Sequence, residues 1–410
     1  MEQQEIIPHL FRTEYRKIVS VLYKRFGFDQ MEIAEDLAAD TFLAAAQSWP
    51  FKGVPPNPVA WLYQVARNKA KNHLQREIVF EGKISAELKN TFSGISETEI
   101  DLSPKNINDS QLQMMFAVCH PSISSEAQIG LSLRILCGFG IEEIADAFLS
   151  NKETINKRLF RAKEKLREGK IKIELPGPSE IDGRLSPVLT TIYLLFNEGY
   201  YSVSQNNTIR KDLCFEAIRL CTMLVENYST NKPEVNALLS LMCFHASRFE
   251  ARIDKNGELI LYEEQDTSLW NPELISKGAY FLNRAASGTK ISKYHLQATI
   301  AYWNTQKADT KQKWENILQL YNRLLQIEYS PIAALNRTYA LSKANSKQEA
   351  IAEAEKLNLT GNHFYFALLG ELYTGIDNIK AKQNFQKALS LARTITDKQT
   401  IQKKIEKLSE

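Results

Sequence analysis

Apolar residues recur at three- and four-residue spacing along nearly the whole chain, and strand-like alternation is scarce, so the pattern predicts an all-α protein. Ile18, Leu22 and Phe26 make one helical stripe; Ile33, Leu37, Thr41, Ala44 and Ala45 make a second. A break is expected at Pro50–Pro58, where four prolines and a glycine fall within nine residues. Pro58 suits the first position of a helix and Asn57 its N-cap, and the helix then runs through VAWLYQVARNKAKNHLQRE. Residues 81–108 are polar and short of core side chains, which reads as a linker. A second helical module is expected over 109–172, closed by Pro176-Gly177-Pro178. The remainder, about 182–410, reads as a long helical region. Within it Tyr339 and Tyr373, like Ala354 and Ala388, recur 34 residues apart, the tetratricopeptide period. Two small helical domains (6–80 and 109–172) and a tetratricopeptide-like helical-repeat domain (182–410) are therefore expected.

The most specific stretch is Gly138–Glu168. Ile141, Ile144, Ala145 and Phe148 form the inner face of a short helix, Ser150-Asn151-Lys152 a tight connector, and Ile155, Leu159, Ala162 and Leu166 the inner face of a second helix. This is the helix-turn-helix pattern, whose second helix enters the major groove of DNA. From Lys152 to Lys172 there are nine Lys or Arg and three Glu. Lys152, Thr154, Asn156, Lys157, Arg158, Arg161 and Lys165 lie off the apolar stripe and are the candidate DNA-reading set. Lys163, Lys165 and Arg167 are better placed for phosphates. A solvated basic face is the competing reading, and the fixed spacing of the preceding helix favours DNA.

The first segment carries a different constellation. Asn57, Trp61, Tyr63, Arg67, Asn68, Lys71, Asn72 and Arg76 interleave aromatic, amide and basic groups, with no acid between Val59 and Gln75. Aromatic faces receive unstacked bases at about 1–3 kcal/mol each while cations follow phosphates. Trp61 also fits simple core packing.

Bulk composition adds exclusions. The 410 residues carry a net charge of only +3, so a DNA-binding argument rests on where charges sit. Five scattered cysteines, none in a CxxC pair, point to reduced buried thiols. The N-terminus has no apolar signal segment and no run long enough to span a membrane occurs, so a cytoplasmic protein is expected. Glu258, Glu263, Glu264 and Asp266 cluster, but without a neighbouring His, phosphate loop or nucleophile motif they read as a solvated turn. No catalytic residue, metal or cofactor is expected, and the chain is not read as an enzyme.

With both constellations in view, the chain resembles an extracytoplasmic-function sigma factor of bacterial RNA polymerase, in the subgroup with a C-terminal tetratricopeptide-like extension. EDLAADTFLAAAQSWP with NPVAWLYQVARNKAKNHLQRE is similar to the family's second conserved region, and CHPSISSEAQIGLSLRILCGFGIEEIADAFLSNKETINKRLFRAKEKLRE to its fourth. DGRLSPVLTTIYLLFNEGYY and ALLSLMCFHASRFEAR resemble the extension. The resemblance implies transcription initiation with core RNA polymerase and promoter DNA as partners. Asp36, Leu37, Asp40, Thr41 and Phe42 would bind polymerase, Asn57 to Arg76 would recognise and melt the −10 element, and Lys152 to Arg161 would read the −35 element. Ala38-Ala39-Asp40 stands where the family more often has Val-Gln-Glu, and Asn72 where Asp is frequent. The extension is expected to bind a protein partner or to contact the rest of the chain, regulating activity. The alternative is a helix-turn-helix regulator with a helical sensor domain that does not join polymerase; it leaves the Trp61–Arg76 pattern without a role.

Overall fold

The computed structural model describes residues 3–84, 100–148, 150–200, 210–252, 260, 262–392 and 394–408. Among these every regular element is helical. The chain packs as two compact units, Met1–Leu195 and Phe196–Glu410.

Unit 1 begins with α1 (Gln3–Phe26), α2 (Met31–Lys52) and α3 (Pro58–Ile84) packed on one another. Ile18 and Leu22 are wholly buried, as the first stripe predicts, while Phe26 is half-buried. In α2 the buried row is Met31, Ala34, Ala38, Thr41, Phe42, Ala45 and Trp49. Thr41 and Ala45 belong to the expected stripe, whereas its other members Ile33, Leu37 and Ala44 sit half-buried at the margin. The small alanines let neighbouring helices approach closely, and that outweighs the greater hydrophobicity of Ile33 and Leu37.

Helix α2 also runs past the expected break. Pro50 sits inside its last turns, where φ near −65° is compatible and only one backbone donor is lost. The stop is Gly53, at φ +79°, whose amide donates to the Trp49 carbonyl at 2.9 Å. Asn57 caps α3 as expected, its Oδ1 accepting from the Ala60 amide at 3.0 Å.

Most of the expected linker lies outside the described residues; 81–84 end α3. The next helix, α4 (Pro104–Val118), starts five residues ahead of Asp109 because Ser103 caps it and Pro104 occupies its first position. Helix α4 packs on α1. Then come α5 (Ser125–Leu131), continued by a π turn at Ser132–Leu136, α6 (Ile141–Ala147), α7 (Lys152–Glu168) and α8 (Ile181–Tyr200).

The Pro-Gly-Pro joint precedes α8, yet α8 up to Leu195 belongs to unit 1. Ile181, Leu185, Val188, Leu189, Ile192 and Leu195 are each at most 2% exposed. Arg184 donates to the Phe116 carbonyl at 2.8 Å, and Cys119 Sγ lies 3.5 Å from Thr191 Oγ1. The first residues of the extension thus complete the core of the second module.

Unit 2 continues with α9 (Lys211–Glu226), α10 (Pro233–Ala246), α11 (Pro272–Ala285), α12 (Lys293–Trp303) and α13 (Lys311–Ile327). The repeat region supplies α14 (Pro331–Ala344), α15 (Lys347–Leu357), α16 (His363–Tyr373) and α17 (Asn378–Leu391), ending in α18 (Ile395–Lys407). Each repeat copy is a helical hairpin. The matched alanines Ala354 and Ala388 are fully buried, where only a small side chain lets the helices meet. At Gly370 a Cβ would sit 2.7 Å from the Phe385 ring, so that close approach is specific to glycine. All five cysteines are buried thiols outside any disulfide. Burial pushes the Cys119 thiol up to about 11 and those of Cys214 and Cys243 up to about 12, which makes them inert.

Two outcomes follow. Leu189→Ala should destabilise the protein by about 2–5 kcal/mol, read by denaturant unfolding, although position 189 lies outside both expected DNA modules. The second concerns His245, which packs 4.6 Å from the Tyr200 ring. Burial, with Arg248 and Arg252 nearby, holds its imidazole well below the ordinary value, so it stays neutral. Its unfolded form takes up a proton near pH 6.5, so this contribution is complete above that pH and falls by about 1.4 kcal/mol per unit below it. Between about pH 7.5 and about 5.5 the loss in Tm should be smaller for His245→Phe than for the parent chain.

Candidate nucleic-acid interface

Helix α7 owes its orientation to one row of apolar side chains. Ile155, Leu159, Ala162 and Leu166 are all buried against α5 and α6. Gly130 admits this packing, since a Cβ there would meet Leu159 at 2.8 Å. Asn151 caps α7, its Oδ1 accepting from the Thr154 amide at 2.8 Å. With the apolar row inward, Lys152, Thr154, Asn156, Lys157, Arg161 and Lys165 are exposed and Arg158 half-exposed. Lys152 pairs with Glu142 at 2.6 Å on the surface. The Arg158 guanidinium lies 5.4 Å from the centre of the Phe148 ring, which holds it in place.

The start of α5 and the cationic row of α7 enclose a cleft of about 480 Å³, lined among others by Ser124, Lys157, Arg158, Arg161 and Lys165. Four cations around one cleft suit a phosphate backbone, and the exposed row beside it can reach base edges. Phe160, 63% exposed between Lys157 and Arg161, escaped the sequence reading. Its signal was its position off the apolar row; such a ring offers apolar contact to a thymine methyl. Lys163 and Arg167, expected at phosphates, face the first module instead, through Glu35 and Glu32.

On α3 the candidates divide. Trp61 is half-exposed and packs edge-on against buried Trp49, with ring centres 5.4 Å apart, so it is both core lid and surface. Asn57, Asn68, Lys71, Asn72 and Arg76 are exposed. Tyr63 turns inward, its hydroxyl donating to Glu14 at 2.6 Å; burial and that carboxylate raise its pKa. Arg67 donates through Nε to the Ile100 carbonyl at 3.0 Å, tying α3 to the segment before α4. Phe51, 89% exposed at the end of α2, was also missed; it adjoins the Gly53–Asn57 loop leading to Trp61.

The five residues expected at polymerase divide too. Asp36 and Asp40 are exposed and Leu37 half-exposed on α2, with Asp40 3.5 Å from Lys69. Thr41 and Phe42 are buried, Thr41 donating to the Leu37 carbonyl and Phe42 packing against Phe11. They shape the helix from inside.

The acidic cluster resolves into structural contacts. Glu263 accepts from Tyr339 and pairs with Lys343 at 2.6 Å, and Glu264 lies 3.6 Å from Lys407. Asp266 accepts from the Ser268 amide at 2.8 Å, while Glu258 lies outside the described residues. Among the described residues no helix is long and apolar enough to cross a membrane.

Comparison with known proteins gives an independent view. Residues 10–77 match the family described as sigma-70 region 2, and residues 184–286 match a family of unknown function (DUF6596). An uncharacterised protein of Rhizobium meliloti (strain 1021) is 31% identical over 390 residues, 93% of this chain and 91% of its own length. The RNA polymerase sigma-H factor of Pseudomonas aeruginosa is 29% identical over 163 residues, 38% of this chain and 81% of that protein. RNA polymerase sigma factor YlaC of Bacillus subtilis is 26% identical over 174 residues, 42% of this chain and 96% of that protein. No solved structure matches the chain.

The two rows of α7 predict opposite stability effects. Leu159→Ala should cost about 2–5 kcal/mol, whereas Lys157→Ala and Arg161→Ala should stay within about 0.5 kcal/mol, measured by denaturant unfolding.

Proposed function

The chain belongs to the extracytoplasmic-function sigma factors of bacterial RNA polymerase and carries a C-terminal extension, and from that premise we propose that it joins core polymerase and directs initiation at its own promoters. The observation that carries this reading is the presence, on separate helices of one unit, of two different exposed surfaces whose chemistry suits nucleic acid. One is the exposed cationic row of α7 and the other is the Trp61 face of α3. A stand-alone regulator needs the first and has no use for the second.

The activity is recognition rather than catalysis. Asp36, Leu37 and Asp40 would dock polymerase along α2. Lys152–Arg161 would read the −35 element, while Lys165 takes a phosphate. Asn57, Trp61, Asn68, Asn72 and Arg76 would receive the opened −10 strand. Trp61 is suited to this because a half-exposed ring backed by Trp49 offers a rigid face to an unstacked base. Each contact alone is weak, and tethering both on polymerase raises the effective concentration of the second.

The extension is proposed to regulate output through its helical-repeat surface. A truncation that tests this must keep α8, because ending the chain at Pro178 removes buried core of unit 1.

Run-off transcription with purified core polymerase, on a promoter from the chain's own operon, tests the whole reading. A discrete transcript is expected, and none would refute it. Arg161→Ala should weaken −35 binding by about 1–3 kcal/mol and relax specificity at one position. Trp61→Ala should reduce strand opening, followed by permanganate reactivity, more than it reduces closed-complex binding.

A further inference from the structure

Between α10 and α11 the chain folds back on the end of α10 and gathers buried cations. The Asn271 amide donates to the Ser247 carbonyl at 2.8 Å, which brings Trp270 to the Arg248 end of α10. Tyr262 stacks on Trp270 with ring centres 6.5 Å apart, and the Arg248 guanidinium lies 5.2 Å from the centre of the Tyr262 ring. The Lys313 ammonium of α13 lies 5.4 Å from the same ring centre. Lys313 is 2% exposed and donates to the Tyr262 hydroxyl at 2.9 Å and to the Gln306 carbonyl at 3.0 Å, both neutral. Arg248 is 9% exposed. Among the described residues neither cation makes an ion pair.

A buried charge is costly unless an opposite charge or full hydrogen bonding compensates it. Arg248 has neither. Its Nη1 is buried without a hydrogen-bond partner, and so are Trp270 Nε1 and, one turn earlier in the chain, His245 Nδ1. Burial, with Arg248 and Arg252 nearby, keeps His245 neutral, so one of its ring nitrogens carries a proton to donate. Buried donors as a rule meet an acceptor. Donors grouped at one guanidinium match the acceptor-only edge of a carboxylate or phosphate. Gln265 Oε1, an unpartnered acceptor of the same segment, is uncharged and cannot offset a guanidinium. Water would satisfy the donors and leave the charge uncompensated, whereas an oxyanion does both. Tyr262 and His245 are only half-buried, so the group reaches the surface.

We propose that Arg248, Trp270 and His245 bind the carboxylate or phosphate group of a small ligand, which makes the extension a receptor for an oxyanion. Arg248 supplies the charge and a forked donor, and Trp270 and His245 add single N–H groups. The ligand acts on the repeats through Tyr262, whose hydroxyl donates to the Asn304 carbonyl at the end of α12 at 3.0 Å. The next residue, Glu263, is held by Tyr339 and Lys343 of α14. Use of the site as an input to initiation rests on the sigma-factor reading above; binding itself does not.

The test uses the full chain in Tris chloride, with inorganic phosphate and sodium acetate as probes at constant ionic strength, read by titration calorimetry and thermal unfolding. At least one probe should bind saturably and raise Tm. Phosphate alone identifies a phosphate group, acetate alone a carboxylate. Trp270→Phe keeps a ring and removes one N–H, and should weaken the probe about three- to tenfold. Arg248→Met should abolish binding and leave Tm in probe-free buffer equal or higher, because an uncompensated buried charge is gone. Should Arg248→Met fail to fold, Trp270→Phe decides alone. The proposal is overturned if neither probe binds the parent chain or if binding is undiminished in Trp270→Phe. A lower Tm for Arg248→Met with probe binding retained would make Arg248 a packing residue and overturn it too.

Discussion

One row of aliphatic contacts governs how unit 1 presents itself. Ile155, Leu159, Ala162 and Leu166 are buried, and because an α-helix turns 100° per residue, their burial dictates where every cation of α7 points. Lys157, Arg161 and Lys165 face outward around the cleft, while Lys163 and Arg167 are carried to the flank that meets α2. Rotating the helix by one residue would bury cations and expose leucines. A net charge of +3 can therefore coexist with a strongly basic surface, since the basicity is concentrated by geometry rather than by excess.

The same logic explains what was legible in the sequence. The α7 row and the Asn57–Pro58 start of α3 follow from local rules, and the structure contains them as expected. The inner row of α2 was legible only at Thr41 and Ala45, because Ala34 and Ala38 carry little hydrophobic signal beside Ile33 and Leu37. Nor were the inward turns of Tyr63 and Arg67. Their partners, Glu14 and the Ile100 carbonyl, are 49 and 33 residues away, and only tertiary packing brings them together. The cross-module pairs, separated by 128 and 135 residues, lay beyond any local reading. The role of α8 was masked by the Pro-Gly-Pro motif, which marks a turn in the chain but not the edge of a core.

Helix α8 begins as core of unit 1, and its final residues, Phe196 and Tyr200, pack within unit 2 beside His245. The boundary between the units falls inside a helix rather than in a loop. Repeat hairpins then follow, each burying a face the neighbouring hairpin needs. The first residues of the extension, Ile181 to Leu195, are thus part of unit 1.

The account stands or falls on whether this chain mounts on polymerase. Sedimentation of the purified protein with core RNA polymerase measures that directly. A one-to-one complex, weakened when the exposed Asp36 and Asp40 are both changed to Asn, is the expected result. Independent sedimentation of the two at micromolar concentration would contradict it and return the chain to a helix-turn-helix protein acting on DNA alone.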